Sequence, residues 1–483
     1  MLTKIENVWV LTPRGSKGTG AMLESRTQSP AQSQCNAFDA FDAFDAVDVF
    51  FGCVIIEDDT IVYAGKPEGW SGCGDGGGGD SCDGNGGGGD SCQFQFDALV
   101  DGKGKILIPG LINCHTHVPM VLLRGLADDL ELHKWLEQAV FPIEDRMTPE
   151  DVYWASQVGI AEMIRGGTTC FSEMYFHMDA VAQAVEETGI RAVLTRGFAS
   201  GGDDGGAAKL ADGLDFALRH GNGADGRITT MLGPHAPYTC TSDLLKEVAA
   251  LALEYQLPIH IHVAETAREV SQIKEQYGQT PVELLEDVGL FGTRLLAAHG
   301  VHLNDRDMEI IAAHGAAVAH CPASNLKLAS GIAPIGRMAA KGVIVCLGTD
   351  GAASNNTLDM ISEIRLAALL AKGSSGDPTA LPAAAAIHAA IASGAKALAL
   401  ESVIGSICPG MKADLTLIDY QKPHLTPDVN LVSLLVYSCR ADDVTDVMVD
   451  GQWLMRDRIL LTIDEYEAMG HCNNSIRRIK ESL

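Results

Sequence analysis

The sequence predicts an α/β protein: a (β/α)8 barrel of the TIM type with a small β-sandwich domain assembled from both ends of the chain. Three observations predict it. Eight apolar, β-like runs alternate with helical segments through the middle of the chain. Further β-rich pieces stand at its two ends, and most of the eight central runs finish on an imidazole or a carboxylate.

The chain begins with KIENVWVLTP (4–13), followed by VFFGCVIIEDDTIVYAG (49–65), with a turn at Glu57 to Thr60, and then ALVDGKGKILIPG (98–110). A similar pattern returns in ADLTLIDY (413–420) and DVTDVMVDGQWLMRDRIL (443–460). Short runs rich in β-branched residues and bounded by turn residues are strands, so residues 1–108 and 402–460 are expected to form one composite β domain. Residues 109–401 then make the barrel, and 461–483 a helical tail.

Two compositionally biased insertions, at about 14–47 and 66–96, interrupt the first part. One repeats Phe-Asp-Ala (NAFDAFDAFDAVDVF) and the other repeats GGGGDSC. The Gly-rich stretch cannot bury enough apolar surface to offset its ordering entropy and is expected to be a mobile loop. It lacks the Gly-Lys-Ser/Thr of a phosphate-binding loop.

The eight central runs are ILIPGLINCHTHV, TTCFSEMY, RAVLTRGF, ITTMLGPHA, PIHIHVAET, LLAAHGVHL, AAVAHCPASN and VIVCLGTDG. In a (β/α)8 barrel the chemistry sits at the C-terminal strand ends. Those ends carry, in order, His115 with His117, Glu173, Arg196, His235, His262 with Glu265, His299, Asn325 and Asp350.

His115 and His117 are one residue apart, so on a strand their rings share a face. Three imidazoles with one carboxylate suit a divalent ion of zinc type better than calcium or magnesium. The candidate ligands are His115, His117, His262 and Asp350. His260 and His262 also share a face, and His262 is chosen because it lies nearer the strand end. No His-Glu-x-x-His helix and no Pro-Cys-x-x-Cys deaminase signature occurs.

Composition narrows the partners. A formal charge of −28, from 63 acidic against 35 basic residues, repels phosphate backbones and argues against nucleic acid or an anionic membrane. Thirteen cysteines with no paired spacing are read as reduced thiols in a cytoplasmic protein. The N-terminal segment lacks the pattern of a secretion signal. LPAAAAIHAAIASGA (381–395) is too short to span a bilayer and is expected to be a packed helix. A small-molecule partner is expected, and a homo-oligomer is left open.

The motifs PGLINCHTH, HIHVAET, LLAAHGVHL and LGTDGAASNN resemble the amidohydrolase superfamily. GPHAPYTC, HCPASNLKLASG and GTDGAASNN narrow the likeness to the subgroup that hydrolyses amino or chloro substituents on purine and triazine rings. Within it the sequence looks like the 5-methylthioadenosine/S-adenosylhomocysteine deaminases, and GSICPGMKADLTLID extends the likeness into the flanking β pieces. The resemblance implies zinc-dependent hydrolytic deamination of the adenine ring of 5′-methylthioadenosine, S-adenosylhomocysteine or adenosine. A related hydrolysis of another aminated or chlorinated heterocycle, such as guanine or a chlorotriazine, is the alternative.

The resemblance also distributes roles. Asp350 would accept a proton from the attacking water, His299 would orient it, and Glu265 would protonate a ring nitrogen. Glu144 in FPIEDR, Arg196 in TRGF and His235 in GPHAP align with nucleoside-binding positions, and Glu265 and Asp350 also face substrate. A carboxylate at Glu144 can accept from both ribose hydroxyls, although a Glu144–Arg196 loop salt bridge would explain the same residues. Trp135 would either cover the apolar side of the substrate or pack its own helix. Many superfamily members bridge two metals with a carboxylated Lys after strand four. Here the only Lys between Lys134 and Lys246 is Lys209, in a Gly-rich loop, so one ion per subunit is implied.

Overall fold

The computed structural model describes residues 1–14, 47–67, 70, 95–126, 128–130, 132–201 and 205–483. The Gly-rich repeat and nearly all of the Phe-Asp-Ala repeat lie outside the described residues, and so does the expectation of a mobile loop. The last four residues of NAFDAFDAFDAVDVF open a strand.

Five strands precede the barrel: β1 (Leu2–Pro13), β2 (Val47–Glu57), β3 (Thr60–Gly65), β4 (Ala98–Asp101) and β5 (Lys105–Pro109). The barrel strands are β6 (Leu111–Thr116), β7 (Thr168–Tyr175), β8 (Arg191–Phe198), β9 (Ile228–Pro234), β10 (Ile259–Val263), β11 (Leu295–His299), β12 (Ala317–His320) and β13 (Ile344–Leu347). Four more follow: β14 (Leu415–Asp419), β15 (Val444–Val449), β16 (Gln452–Arg456) and β17 (Ile459–Leu460).

The eight central strands form one parallel sheet in sequential order. Strands β6, β7, β10, β11 and β12 are buried at every residue, because strands covered on both faces are apolar throughout instead of alternating. The first and last strands meet where Asp350 N–H donates to the His115 carbonyl at 2.9 Å. That contact brings the two ends of a 236-residue span of chain to one place, since Asn113 also accepts from the Thr349 N–H.

The other strands make a nine-stranded mixed sheet from both chain ends, as the sequence predicts. Its centre is β5, parallel to β1 and antiparallel to β14 in the register Leu415↔Pro109 to Asp419↔Lys105. A separate apolar core, including Ile5, Val10, Val54, Leu107, Leu417 and Met448, fills this unit.

Three sequence readings change. The run ILIPGLINCHTHV is two strands, not one: ILIP belongs to the composite sheet and the barrel begins after Gly110. A Cβ at Gly110 would come within 1.9 Å of the Thr169 hydroxyl, so only glycine lets the chain pass from one sheet to the other there. Asn325 is not at the end of the seventh barrel strand. That strand stops at His320, and Asn325 lies in the helix Pro322–Lys327 that Pro322 starts. The Ala-rich segment is two short helices, Ala383–Ala390 and Ala392–Ala397, broken at Ile391 by a non-helical backbone. Among the described residues, no helix is long and apolar enough to cross a membrane.

The helix Glu465–Glu481 closes the chain against the barrel helix Pro149–Arg165. Arg165 forks onto Glu465 at 2.8 and 2.6 Å, and His471 stacks on Trp154 with ring centres 3.9 Å apart. Eight of the described cysteines, among them Cys114, Cys170, Cys321 and Cys346 in the barrel, are free thiols.

Candidate metal centre and active site

His115, His117, His262 and Asp350 converge at the C-terminal end of the barrel. The Nε2 atoms of His115 and His117 lie 3.5 and 3.4 Å from Asp350 Oδ1, and His262 Nε2 lies 3.4 Å from His117 Nε2. The ring hydrogens follow from their partners. His117 Nδ1 faces the Met174 carbonyl at 2.5 Å and His262 Nδ1 faces the His235 carbonyl at 2.7 Å. A carbonyl only accepts, so each Nδ1 carries the hydrogen and each Nε2 presents a lone pair.

Two lone pairs at 3.4 Å repel unless a cation or a proton lies between them. Burial opposes the proton: it pulls the pKa of His117 down, that of His262 far down, and that of His115 to about 4. His115 Nε2 is buried with no hydrogen-bond partner. These are neutral nitrogen donors beside a carboxylate that the neighbouring imidazoles, against the effect of burial, hold well below its ordinary pKa. The donor set fits a divalent ion of zinc type.

The structure separates His260 from His262. His260 is wholly buried and its Nε2 meets His115 Nδ1 at 2.9 Å, behind the cluster. His262 is the ring that faces the cleft.

Glu265 and His299 stand beside the cluster, 3.9 Å apart. Burial raises the Glu265 pKa against the opposing pull of His299. For His299, burial works against the charged form, but Glu265, Asp350 and the Asn325 side chain outweigh it and the pKa is raised. The turns that present these groups are left-handed at non-glycine residues: Ala264 (φ 51°), His299 (φ 74°) and Asp350 (φ 62°). Such strain collects at functional sites.

A cleft of about 450 Å³ opens over this cluster. Glu144, Arg196 and His235 all line it, as do Trp135, Val140 and Phe141. The sequence left a Glu144–Arg196 salt bridge open, and the structure pairs neither with the other. Glu144 accepts from the Tyr175 hydroxyl at 2.5 Å, and Arg196 Nε donates to Asp212 at 2.9 Å. Burial lifts the Glu144 pKa to about 7, and the Tyr175 hydrogen bond resists that rise. His235 donates or accepts at Thr239, 2.9 Å away, and burial lowers its pKa to about 4. Trp135 both packs and faces the cleft, being 5% exposed. Lys209, exposed on the helix Ala207–His220, lines the same cleft.

Residue reasoning missed several supports. Ser324 donates to Asp350 Oδ2 at 2.5 Å, and Asn325 faces His299 Nδ1 at 2.9 Å. Glu269 accepts from the N–H groups of Ala264 and Glu265, both at 2.8 Å, and so holds the turn that carries Glu265. Tyr175 ends strand β7. The Ser-Asn of HCPASN was the available signal for the first pair; Glu269 had none, because its partners are main-chain N–H groups.

The amidohydrolase family model matches residues 106–454, which takes in all eight barrel strands together with β14 and β15 of the composite sheet. The chain belongs to the amidohydrolase family. This amidohydrolase is 50% identical over 381 residues to a 5-methylthioadenosine/S-adenosylhomocysteine deaminase from Pelotomaculum thermopropionicum, with 79% of this chain and 87% of the relative covered. A protein of the same name from Dictyoglomus thermophilum is 52% identical over 376 residues, covering 78% and 88%. Among solved structures, an adenosine deaminase from Xanthomonas campestris with bound zinc superposes with a TM-score of 0.85 at 33% identity, covering 99% of this chain and 98% of the other.

Proposed function

We propose that this amidohydrolase removes the amino group from the adenine ring of 5′-methylthioadenosine, S-adenosylhomocysteine or adenosine, giving the inosyl product and ammonia. The observation that carries the reading is that the Nε2 atoms of His115 and His117 converge on Asp350 with His262 Nε2 against His117, beside Glu265 and in a cleft that also holds Glu144. The names of its relatives agree with it.

In this reading His115, His117, His262 and Asp350 hold one divalent ion, with zinc the best match to their donor chemistry. When bound, the ion brings the ionisation of water into the neutral range. Asp350 takes the proton of the attacking water, and His299, steadied by Asn325, hydrogen-bonds the oxygen. Glu265 delivers a proton to the ring nitrogen next to the carbon that bears the amino group. Burial raises its pKa, which favours the protonated carboxyl over the ordinary carboxylate. The proton held on Asp350 then passes to the amino group as the C–N bond breaks and ammonia leaves, and Glu265 recovers the hydroxyl proton as C=O forms. Glu144 accepts from the ribose hydroxyls, Arg196 and His235 line the nucleoside, and Trp135 with Val140 and Phe141 covers apolar substituents.

The test is ammonia release with the matching loss of adenine absorbance, on metal-replete protein with each of the three nucleosides. Turnover of at least one is expected. No turnover of any of them would remove the proposal.

A further inference from the structure

The three converging imidazoles are oriented in two different ways. His117 and His262 each donate Nδ1–H to a main-chain carbonyl, so the backbone sets their tautomers and no side-chain substitution can remove that partner. His115 has no carbonyl. Its Nδ1 meets His260 Nε2 at 2.9 Å, and His260 Nδ1 in turn lies 3.4 Å from the Ser172 hydroxyl. Both rings and Ser172 are 0% exposed.

An imidazole, unlike a carbonyl, can donate or accept, so two hydrogen arrangements satisfy the His115–His260 contact. In the first, His115 Nδ1–H donates to His260 Nε2. His260 then carries its hydrogen on Nδ1, donates to Ser172, and leaves the His115 Nε2 lone pair facing Asp350. In the second, His260 Nε2–H donates to His115 Nδ1. The His115 hydrogen then sits on Nε2, 3.5 Å from Asp350 Oδ1, and that nitrogen can no longer bind an ion.

We propose that His260, backed by Ser172, is a positioning residue that holds His115 in its metal-accepting tautomer and thereby sets the affinity of the site for a divalent ion. The inference rests on the metal reading of the cluster. It assigns a role to the first His of HIH, which no part of the proposed reaction uses. Removing His260 leaves a buried N–H unpaired if the His115 hydrogen stays on Nδ1, and so favours that hydrogen on Nε2, facing Asp350. Removing the Ser172 hydroxyl disfavours the first arrangement in the same direction, because the His260 Nδ1–H loses its acceptor.

The experiment measures zinc dissociation constants of the full chain by competition with a chromophoric chelator, for the wild type, His260→Phe, His260→Gln and Ser172→Ala. Partners of a ligating His are worth roughly 10- to 100-fold in metal affinity. His260→Phe is expected to weaken zinc by about that factor. His260→Gln, whose amide oxygen reaches the Nε2 position, is expected to restore affinity close to wild type, and Ser172→Ala to fall between. Melting temperatures with excess chelator check that the metal-free forms are folded. Wild-type affinity in His260→Phe, or equal weakening in His260→Gln, would overturn the positioning role alone. A wild-type chain that binds no zinc would overturn the metal reading and this inference with it.

Discussion

Two buried polar clusters sit in different parts of this molecule, and they are built on opposite plans. At the start of β8, Arg191 donates to both oxygens of Asp414, at 2.8 and 3.0 Å, and also to Asp450. Asp414 accepts in addition from the Asp450 N–H at 2.9 Å. Burial works against the Arg191 charge, yet its two carboxylates outweigh burial and raise its pKa. This cluster joins the barrel to the composite sheet, and each nitrogen of its guanidinium has a partner. At the C-terminal strand ends, imidazole lone pairs face one another and His115 Nε2 has no partner. A compensated cluster holds structure together; an uncompensated one awaits a ligand.

Substitutions can separate the two. The largest effect is expected from Glu265→Gln, which keeps shape but cannot deliver a proton: kcat should fall about 10²- to 10⁴-fold with zinc content unchanged by metal analysis. A loss of zinc together with kcat would make Glu265 a support of the metal cluster instead.

Next comes Arg191→Met, which takes the guanidinium away from the buried Asp414 and the half-buried Asp450 and should cost about 3–5 kcal/mol of stability in chemical denaturation. The folded fraction is expected to keep its kcat. A kcat that falls in proportion would show the two clusters to be coupled.

Within the cleft, the proposed ribose contact predicts that Glu144→Ala loses charge-assisted hydrogen bonds of about 1.5–3 kcal/mol, roughly 10- to 150-fold in kcat/KM on nucleosides. An unchanged value would point to a substrate without ribose.

The smallest expected effect is a shift in pH dependence. The Glu144 pKa is raised to about 7, so its carboxylate is protonated as pH falls through that value and can no longer accept from both hydroxyls. KM for nucleosides should therefore rise on the acid side of neutrality. Tyr175 donates to Glu144 and opposes the raised pKa, so Tyr175→Phe should move the inflection to higher pH. A shift to lower pH, or no inflection, would break the link between Glu144 and ribose.

Much of this site is legible in the linear sequence. His115 and His117 alternate on one strand, and Glu265 and His299 close two others, because each strand of a parallel barrel delivers its last residues to the same rim. Asn325 was misplaced because a Pro at 322 starts a helix before it; periodicity over so short a run does not distinguish strand end from helix start. Glu269 was missed because its partners are main-chain N–H groups, which carry no sequence signal.

The sequence by itself determined the barrel, the composite sheet and the residue types gathered at the rim, since burial pattern and strand-end chemistry are local properties. Only the tertiary structure decided which way each ring points. His117 and His262 are turned by carbonyls, His115 by His260, and Glu144 by Tyr175. Most of these partners are tens to more than a hundred positions apart, and hydrogen bonds across such distances exist only once the strands are packed side by side.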